Sequence, residues 1–310
     1  LDKFLKNFLN KNGYLMPIIY AYKTLINNPT FFFYDVYNDI RKDIIWKKKY
    51  SVGHNIICFS LPKSGSTLVE QIFRNFGYID IFNTCIRRFK RLPITAHPNE
   101  IHSGYFELLP KNKSNFMKVH SHFDIKYPEL LEKNNFLPFI LIRDIRDMMI
   151  SRYYHIINDP NHSEHHEIKN QSFDEGFLSS LLTIKSGDKF SQLQYFNNWI
   201  VDWVKFNKYP IIKYEELNLN KENFLNKIQN FTMHDSTDKK IQNEKKIFSL
   251  KTDNLSIKKK LSFHGKKKDT FRKGRSGDWK QKLNNDHKSI FKKIAQEALE
   301  IAGYEKDTNW

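Results

Sequence analysis

Two short apolar runs constrain what this chain can fold into more than any other feature. They are Asn55-Ile56-Ile57-Cys58-Phe59-Ser60-Leu61 and Phe136-Leu137-Pro138-Phe139-Ile140-Leu141-Ile142. Neither alternates polar with apolar, so neither suits a strand with one wet face. Both suit parallel strands buried on both sides. The first run leads into Pro62-Lys63-Ser64-Gly65-Ser66-Thr67. A helical pattern follows, with Leu68, Ile72, Phe73 and Phe76 on one face and Gly77 as its stop. Strand, tight loop and helix in that order aim backbone N–H groups and the positive end of a helix at an anion.

The rest of the chain repeats the alternation. Residues 116–120 and 210–214 read as two further strands. Residues 147–157, 191–207, 221–231 and 286–302 read as helices. In the 191–207 helix, Leu193, Phe196, Trp199, Ile200 and Trp203 form a stripe that reads as core rather than as a substrate platform. Residues 80–115 are irregular, and their basic cluster Arg87-Arg88-Phe89-Lys90-Arg91 reads as a solvated face. Residues 158–188 read as a polar surface loop and a helix start. Their His162, His165 and His166 lack a second ligand pair and read as solvated rather than metal-binding. Residues 238–276 are Lys-rich and loop-like. The expectation is an α/β fold of three layers, with a central, mostly parallel sheet flanked by helices. One domain spans 51–310, and residues 1–50 form an N-terminal helical extension that packs on it.

Composition removes several classes. With 310 residues, 40% of them hydrophobic and 15% aromatic, the chain can bury a large core and is not disordered. Two cysteines, Cys58 and Cys85, make a disulfide scaffold a poor fit and point to a reducing compartment, the cytoplasm by default. No apolar run reaches the ~18 residues of a membrane span. Residue 1 is Leu, so an upstream segment or anchor stays open. The net charge of +17 invites a nucleic-acid reading. It is carried mostly by 41 scattered Lys, however, against only 10 Arg. The Arg positions are more informative, because a guanidinium suits fixed, forked recognition of phosphate. Five of those 10 fall in two segments, Arg143, Arg146 and Arg152, then Arg272 and Arg275.

Four pieces carry the chemistry. They are Leu61-Pro62-Lys63-Ser64-Gly65-Ser66-Thr67, then Lys118-Val119-His120, then the segment from Arg143 through Asp147 and Ser151 to His155, and last Arg272-Lys273-Gly274-Arg275-Ser276-Gly277-Asp278-Trp279-Lys280. In this order they resemble the soluble sulfotransferases that use 3′-phosphoadenosine 5′-phosphosulfate (PAPS). That family has a P-K-S-G-[ST]-T loop, a K-x-H, an R-x-x-[KR]-D-x-x-x-S-x-Y segment and a late R-K-G-x-x-G-D-W-K. The resemblance spans roughly residues 50–285 and implies a P-loop-like fold. The loop is not the G-x-x-x-x-G-K-[ST] of NTPases, since Lys63 precedes Gly65.

The resemblance implies a site with two anion subsites. Lys63, Ser64, Gly65, Ser66 and Thr67 would hold the 5′ group, and Lys63 would neutralise charge on the leaving phosphate oxygen. Arg143, Ser151, Arg272, Lys273 and Gly274 would hold the 3′-phosphate. Tyr214, in Lys-Tyr-Glu-Glu, would lie near the adenine. Leu68 stands where many relatives have Trp. His120 would be the general base, since its ordinary pKa suits proton transfer near neutrality. Lys118 would help position or stabilise the transferring group. His122, Glu100 and Glu107 are alternative bases. The implied reaction moves a sulfuryl group from PAPS to an acceptor hydroxyl, or an amine, and leaves PAP. It needs no metal. The acceptor would be a small molecule, a lipid or a glycan, with neither nucleic acid nor a membrane span involved. The competing readings are a nucleotide-binding kinase or NTPase of similar fold, and a basic nucleic-acid-binding protein.

Overall fold

A computed structural model describes residues 54–75, 78–80, 101, 106, 114–160, 162–184, 188–219, 224, 227 and 276–310, together with Ile26 and Pro29. Its centre is a five-stranded sheet made of β1 (Asn55–Ser60), β2 (Ile79–Asp80), β3 (Asn115–Val119), β4 (Phe136–Ile142) and β5 (Ile211–Lys213). The order across the sheet is β2-β3-β1-β4-β5, and all four pairings are parallel. Cys58 lies between Lys118 on one side and Phe139 on the other.

The unbroken apolar runs are explained by cover on both faces. Alternate residues of β1 leave in opposite directions. Ile56 and Cys58 join Phe116, Phe139, Leu141, Ile212, Val69, Ile72 and Phe73 in one cluster. Val69, Ile72 and Phe73 belong to α1 (Ser66–Asn75). Ile57 and Phe59 join the larger cluster on the opposite face. That face is covered by α2 (Tyr127–Lys133), α3 (Ile145–Asn158), α4 (His165–Ile168), α5 (Phe173–Leu182), α6 (Gln192–Phe206), α8 (Trp279–Lys282) and α9 (Asn285–Ile301), while α7 (Tyr214–Leu219) follows β5 directly. α6 packs along α9. Three helices open with reciprocal capping boxes, Ser172 with Glu175, Ser191 with Gln194 and Asn284 with His287. Each satisfies two amides that a helix start otherwise leaves open.

Three expectations need correction. The sheet has a fifth strand, β2 (Ile79–Asp80), which was not expected, while most of the 80–115 region expected to be irregular lies outside the described residues. Two residues on the sheet edge are too few to show a period. The strand expected at 210–214 stops at Lys213, and Tyr214 opens α7. Residues 158–188 are more than a surface loop, because α4 and α5 bury His165, Ile168, Phe177 and Leu181. Gly176 disguised α5 in the sequence. It is there for packing: a Cβ at that position would stand 2.9 Å from Ile168 Cγ2. The extension expected over 1–50 lies outside the described residues apart from Ile26 and Pro29, as do Arg87–Arg91, Glu100, Glu107 and 238–275.

Candidate active site

The sheet order sets the place of the site. From β1 the chain leaves toward β2, and from β4 it leaves toward β5 on the opposite side. The crevice at the carboxyl ends of β1 and β4 is therefore the switch point, where open α/β sheets bind ligands. Two of the four sequence pieces meet there, the loop after β1 and the Arg143 corner after β4.

The loop is tightly wound. Ser64 donates to the Leu61 carbonyl through both its amide (3.3 Å) and its hydroxyl (2.7 Å). The Gly65 carbonyl accepts from the Leu68 (2.9 Å) and Val69 (3.2 Å) amides and so starts α1. The remaining N–H groups of the first turn have no acceptor within the helix and face the crevice end. Gly65 has φ +95°, and a Cβ there would stand 2.3 Å from Cδ2 of Tyr214, so only glycine fits. Lys63 also takes a positive φ, 72°, which is costly for a residue with a Cβ. Arg143 Nη1 donates to the Lys63 carbonyl at 3.2 Å and helps hold that conformation. Strain of this kind persists only where its surroundings fix it, and it gathers at ligand clamps.

Arg143 is buried, and its guanidinium carbon lies 4.5 Å from the centre of the Tyr214 ring. One aromatic ring thus backs both the loop glycine and the arginine. Burial, with the Arg143 charge as second cause, lowers the Lys63 pKa to about 8. The other two arginines of the segment have different duties. Arg146 binds both oxygens of Asp144 and Glu305, between the rings of Trp279 (3.6 Å) and Trp310 (4.4 Å). Arg152 binds Glu164 and the Ser180 carbonyl. Both are structural. Asp144 caps α3, and its own amide donates to Glu215 Oε1 at 3.1 Å. Burial raises the Glu215 pKa, opposed first by that amide.

One residue of the third piece, to which the sequence assigned no role, joins it to the fourth. Asp147 accepts from the Gly277 amide at 2.6 Å and the Trp279 amide at 3.0 Å. Burial raises its pKa and Arg143 lowers it. The Gly-Asp-Trp segment is thereby fixed to the first turn of α3. Arg272, Lys273 and Gly274 themselves lie outside the described residues. Ser151 is half-buried further along α3. The signal that could have found Asp147 was an aspartate at the start of a helix beside a glycine-rich segment with open amides.

The second piece ends β3. Lys118 is buried in the sheet, with Nζ 2.7 Å from Glu70 Oε2 on α1. His120 lies just past the strand, where Nδ1 sits 2.5 Å from the Ser60 carbonyl oxygen. A carbonyl can only accept, so the proton is on Nδ1 and the lone pair is on Nε2. Burial first, then the Lys118 charge, lowers the His120 pKa to about 4. His122 turns away and packs edge-on against Tyr195 of α6, with ring centres 4.3 Å apart. Burial lowers its pKa as well. His165 donates from its ring to the Ile156 carbonyl, and among the described residues no group of three His, Cys, Asp or Glu side chains could hold a metal ion. No described helix is long and apolar enough to cross a membrane.

No curated protein matches the chain at a significant level. Among solved structures, the mouse sulfotransferase SULT7A1 complexed with PAP is similar at 17% identity and a TM-score of 0.55, covering 84% of this chain and 92% of that one. Retinol dehydratase in complex with androsterone and inactive cofactor PAP is also 17% identical, covering 79% and 80% at a TM-score of 0.48. The first likeness shows the P-loop-like α/β fold. The family model described as a sulfotransferase domain matches residues 54–303, from the residue before β1 to the turn after α9, and the chain belongs to that family.

Proposed function

We propose that this chain is a PAPS-dependent sulfotransferase acting on a hydroxyl, or an amine, of a small molecule, lipid or glycan. The observation that carries the reading is the loop at the switch point, where Arg143 Nη1 donates at 3.2 Å to the carbonyl of Lys63 in its left-handed conformation and so brings two cationic residues to one crevice. Two cationic residues at one crevice favour anionic groups there. A strained loop and the start of α1 supply amides at the same place. Lys63, Ser64, Gly65, Ser66 and Thr67 would hold the 5′ end of PAPS, and Arg143 with Ser151 would hold the 3′-phosphate. Arg272, Lys273 and Gly274 would complete that subsite from the segment that Asp147 anchors.

PAPS supplies an activated sulfuryl group whose leaving group is a phosphate. Lys63 would stabilise the charge that develops on the leaving oxygen. His120 Nε2 would take the proton of the attacking hydroxyl. A pKa of about 4 keeps the ring neutral throughout the neutral range and makes it a weaker base than an ordinary histidine. Lys118, from within its ion pair with Glu70, would act on this step electrostatically, by adding to the burial that keeps His120 neutral. Tyr214 backs the loop from below and holds Arg143 in place. With two cysteines in the chain, Cys58 buried and free, we assign the activity to the cytoplasm.

A thermal shift with PAP tests the donor site. A ligand that binds only the folded state at about a hundred times its Kd adds ~2.7 kcal/mol of stability, which a melting curve resolves. Labelled PAPS offered with a panel of phenols, sterols, lipids and glycans then tests transfer. No shift with PAP, together with a clear shift with magnesium and ATP, would replace this reading with the kinase one.

A further inference from the structure

We infer that Trp199 and Trp203 are positioning residues for the His120 base, the two indole N–H groups clamping the carbonyl beside it. The inference rests on the proposal that His120 is the base. β3 stops at Val119, so among the described residues no sheet hydrogen bonds fix residues 120–124. The clamp takes their place. Trp199 Nε1 donates to the Ser121 carbonyl at 2.7 Å and Trp203 Nε1 to the same oxygen at 3.1 Å. The two tryptophans are one turn apart on α6, and both are 0% exposed. A buried indole needs some acceptor, and any core carbonyl would serve that need. Here both choose one carbonyl, filling its two lone pairs at the residue next to His120.

Further contacts lock the same segment. The Ser121 hydroxyl pairs with the Tyr127 hydroxyl and donates to the His122 carbonyl. The His122 ring rests on Tyr195, one turn before Trp199 on the same face of α6. Trp203 also lies 4.2 Å, ring to ring, from Phe59. Phe59 precedes Ser60, whose carbonyl receives the His120 Nδ1 proton. Trp203 therefore touches the chain beside both halves of the hydrogen bond that sets the His120 tautomer. The stripe that reads as plain core also sets which nitrogen of His120 can take a proton.

The test uses the full chain labelled with 15N-histidine. Long-range 1H–15N correlation reports which His120 nitrogen carries the proton, with His120→Asn identifying the signal. Wild type is expected as the Nδ1–H tautomer. The Trp199→Phe/Trp203→Phe variant, which keeps the rings but loses both donors, is expected as a mixture of tautomers. An unchanged His120 signal overturns the inference. If the double variant does not fold, the two single variants carry the same measurement. Misplacing a catalytic group by about 1 Å can cost ~10²-fold, so kcat for transfer from labelled PAPS should fall roughly tenfold in each single variant and ~10²-fold in the double. PAP affinity should stay within about twofold, since the clamp touches none of the donor-site residues. In the His120→Asn background the tryptophan changes should cost no further rate. An equal loss in that background means a merely structural role and sinks the inference. If His120→Asn itself keeps the wild-type rate, the base assignment fails, and the tautomer measurement still decides whether the clamp exists.

Discussion

Neighbouring strands β1 and β3 each deliver a lysine to the carboxyl end of the sheet, and the two end in opposite electrostatic states. Lys63 stands on a strained loop beside Arg143, where burial and a like charge lower its pKa to about 8. Lys118 lies inside the sheet with Glu70 at 2.7 Å. The first is a cation that an incoming anion would relieve. The second already has its counter-charge and shapes the field around His120 from behind. A residue type in a motif fixes a position in the chain. Whether its charge is available depends on what the next element brings to face it.

The sharpest way to break this contrast is to remove the cation facing Glu70. Lys118→Met leaves the buried Glu70 carboxylate of α1 without that partner, and breaking a buried pair in this way costs ~3–5 kcal/mol. The midpoint of urea unfolding should fall accordingly. Lys118→Met/Glu70→Gln, which removes both charges, should recover most of the loss. A Lys118→Met protein as stable as wild type would show that the pair is not structural, and the contrast with Lys63 would collapse.

Lys63→Ala should do the reverse, leaving the unfolding midpoint near wild type and lowering kcat for transfer from labelled PAPS by ~10²–10³-fold. The pH profile sharpens the point. kcat/KM reports groups of the free enzyme. Lys63 carries its charge below its pKa of about 8 and loses it above. kcat/KM for PAPS should therefore fall tenfold per pH unit above about 8. His120, with its pKa of about 4, gives a low-pH limb only near that value, so the profile should be flat between the two. Lys63→Arg should abolish the upper limb, because a guanidinium stays charged throughout. An upper limb that survives in Lys63→Arg would assign it to another group.

How much of this was legible in the sequence follows from the range of each signal. The apolar runs predicted the positions of β1 and β4 because burial on both faces leaves its mark residue by residue. Amphipathic period likewise revealed α1, α3, α6 and α9 to within a few residues. β2 was too short to show a period, and α5 was hidden by Gly176, whose reason is a contact with Ile168. At the site, the loop stood out by residue type and spacing, and Arg143 and His120 through the family resemblance. Glu70 facing Lys118, Tyr214 beneath Gly65 and Asp147 holding Gly277 and Trp279 are pairings across 48, 149, 130 and 132 residues. Local pattern carries no information at that range. Trp199 and Trp203 were visible as an apolar stripe, which is true of their rings. The direction of their N–H groups is a tertiary fact.

The smallest expected effect gives the lysine comparison its control. Lys205 and Glu297 form an ion pair at the same 2.7 Å as Lys118 and Glu70, but their side chains are 60% and 57% exposed. Distance alone would give the two pairs equal weight. Solvent screens the exposed pair, and ordering two long side chains opposes it, so such pairs contribute only ~0.2–1 kcal/mol. Lys205→Met should move the urea midpoint by no more than that, and raising the salt to about 1 M, where the Debye length falls to ~3 Å, should erase most of the difference. The Lys118→Met loss should persist in the same salt, since the sheet and α1 keep solvent ions away from Glu70. If both losses shrank equally with salt, burial would not be what separates the two pairs, and the structural role given to Lys118 would have to rest on something other than its place inside the sheet.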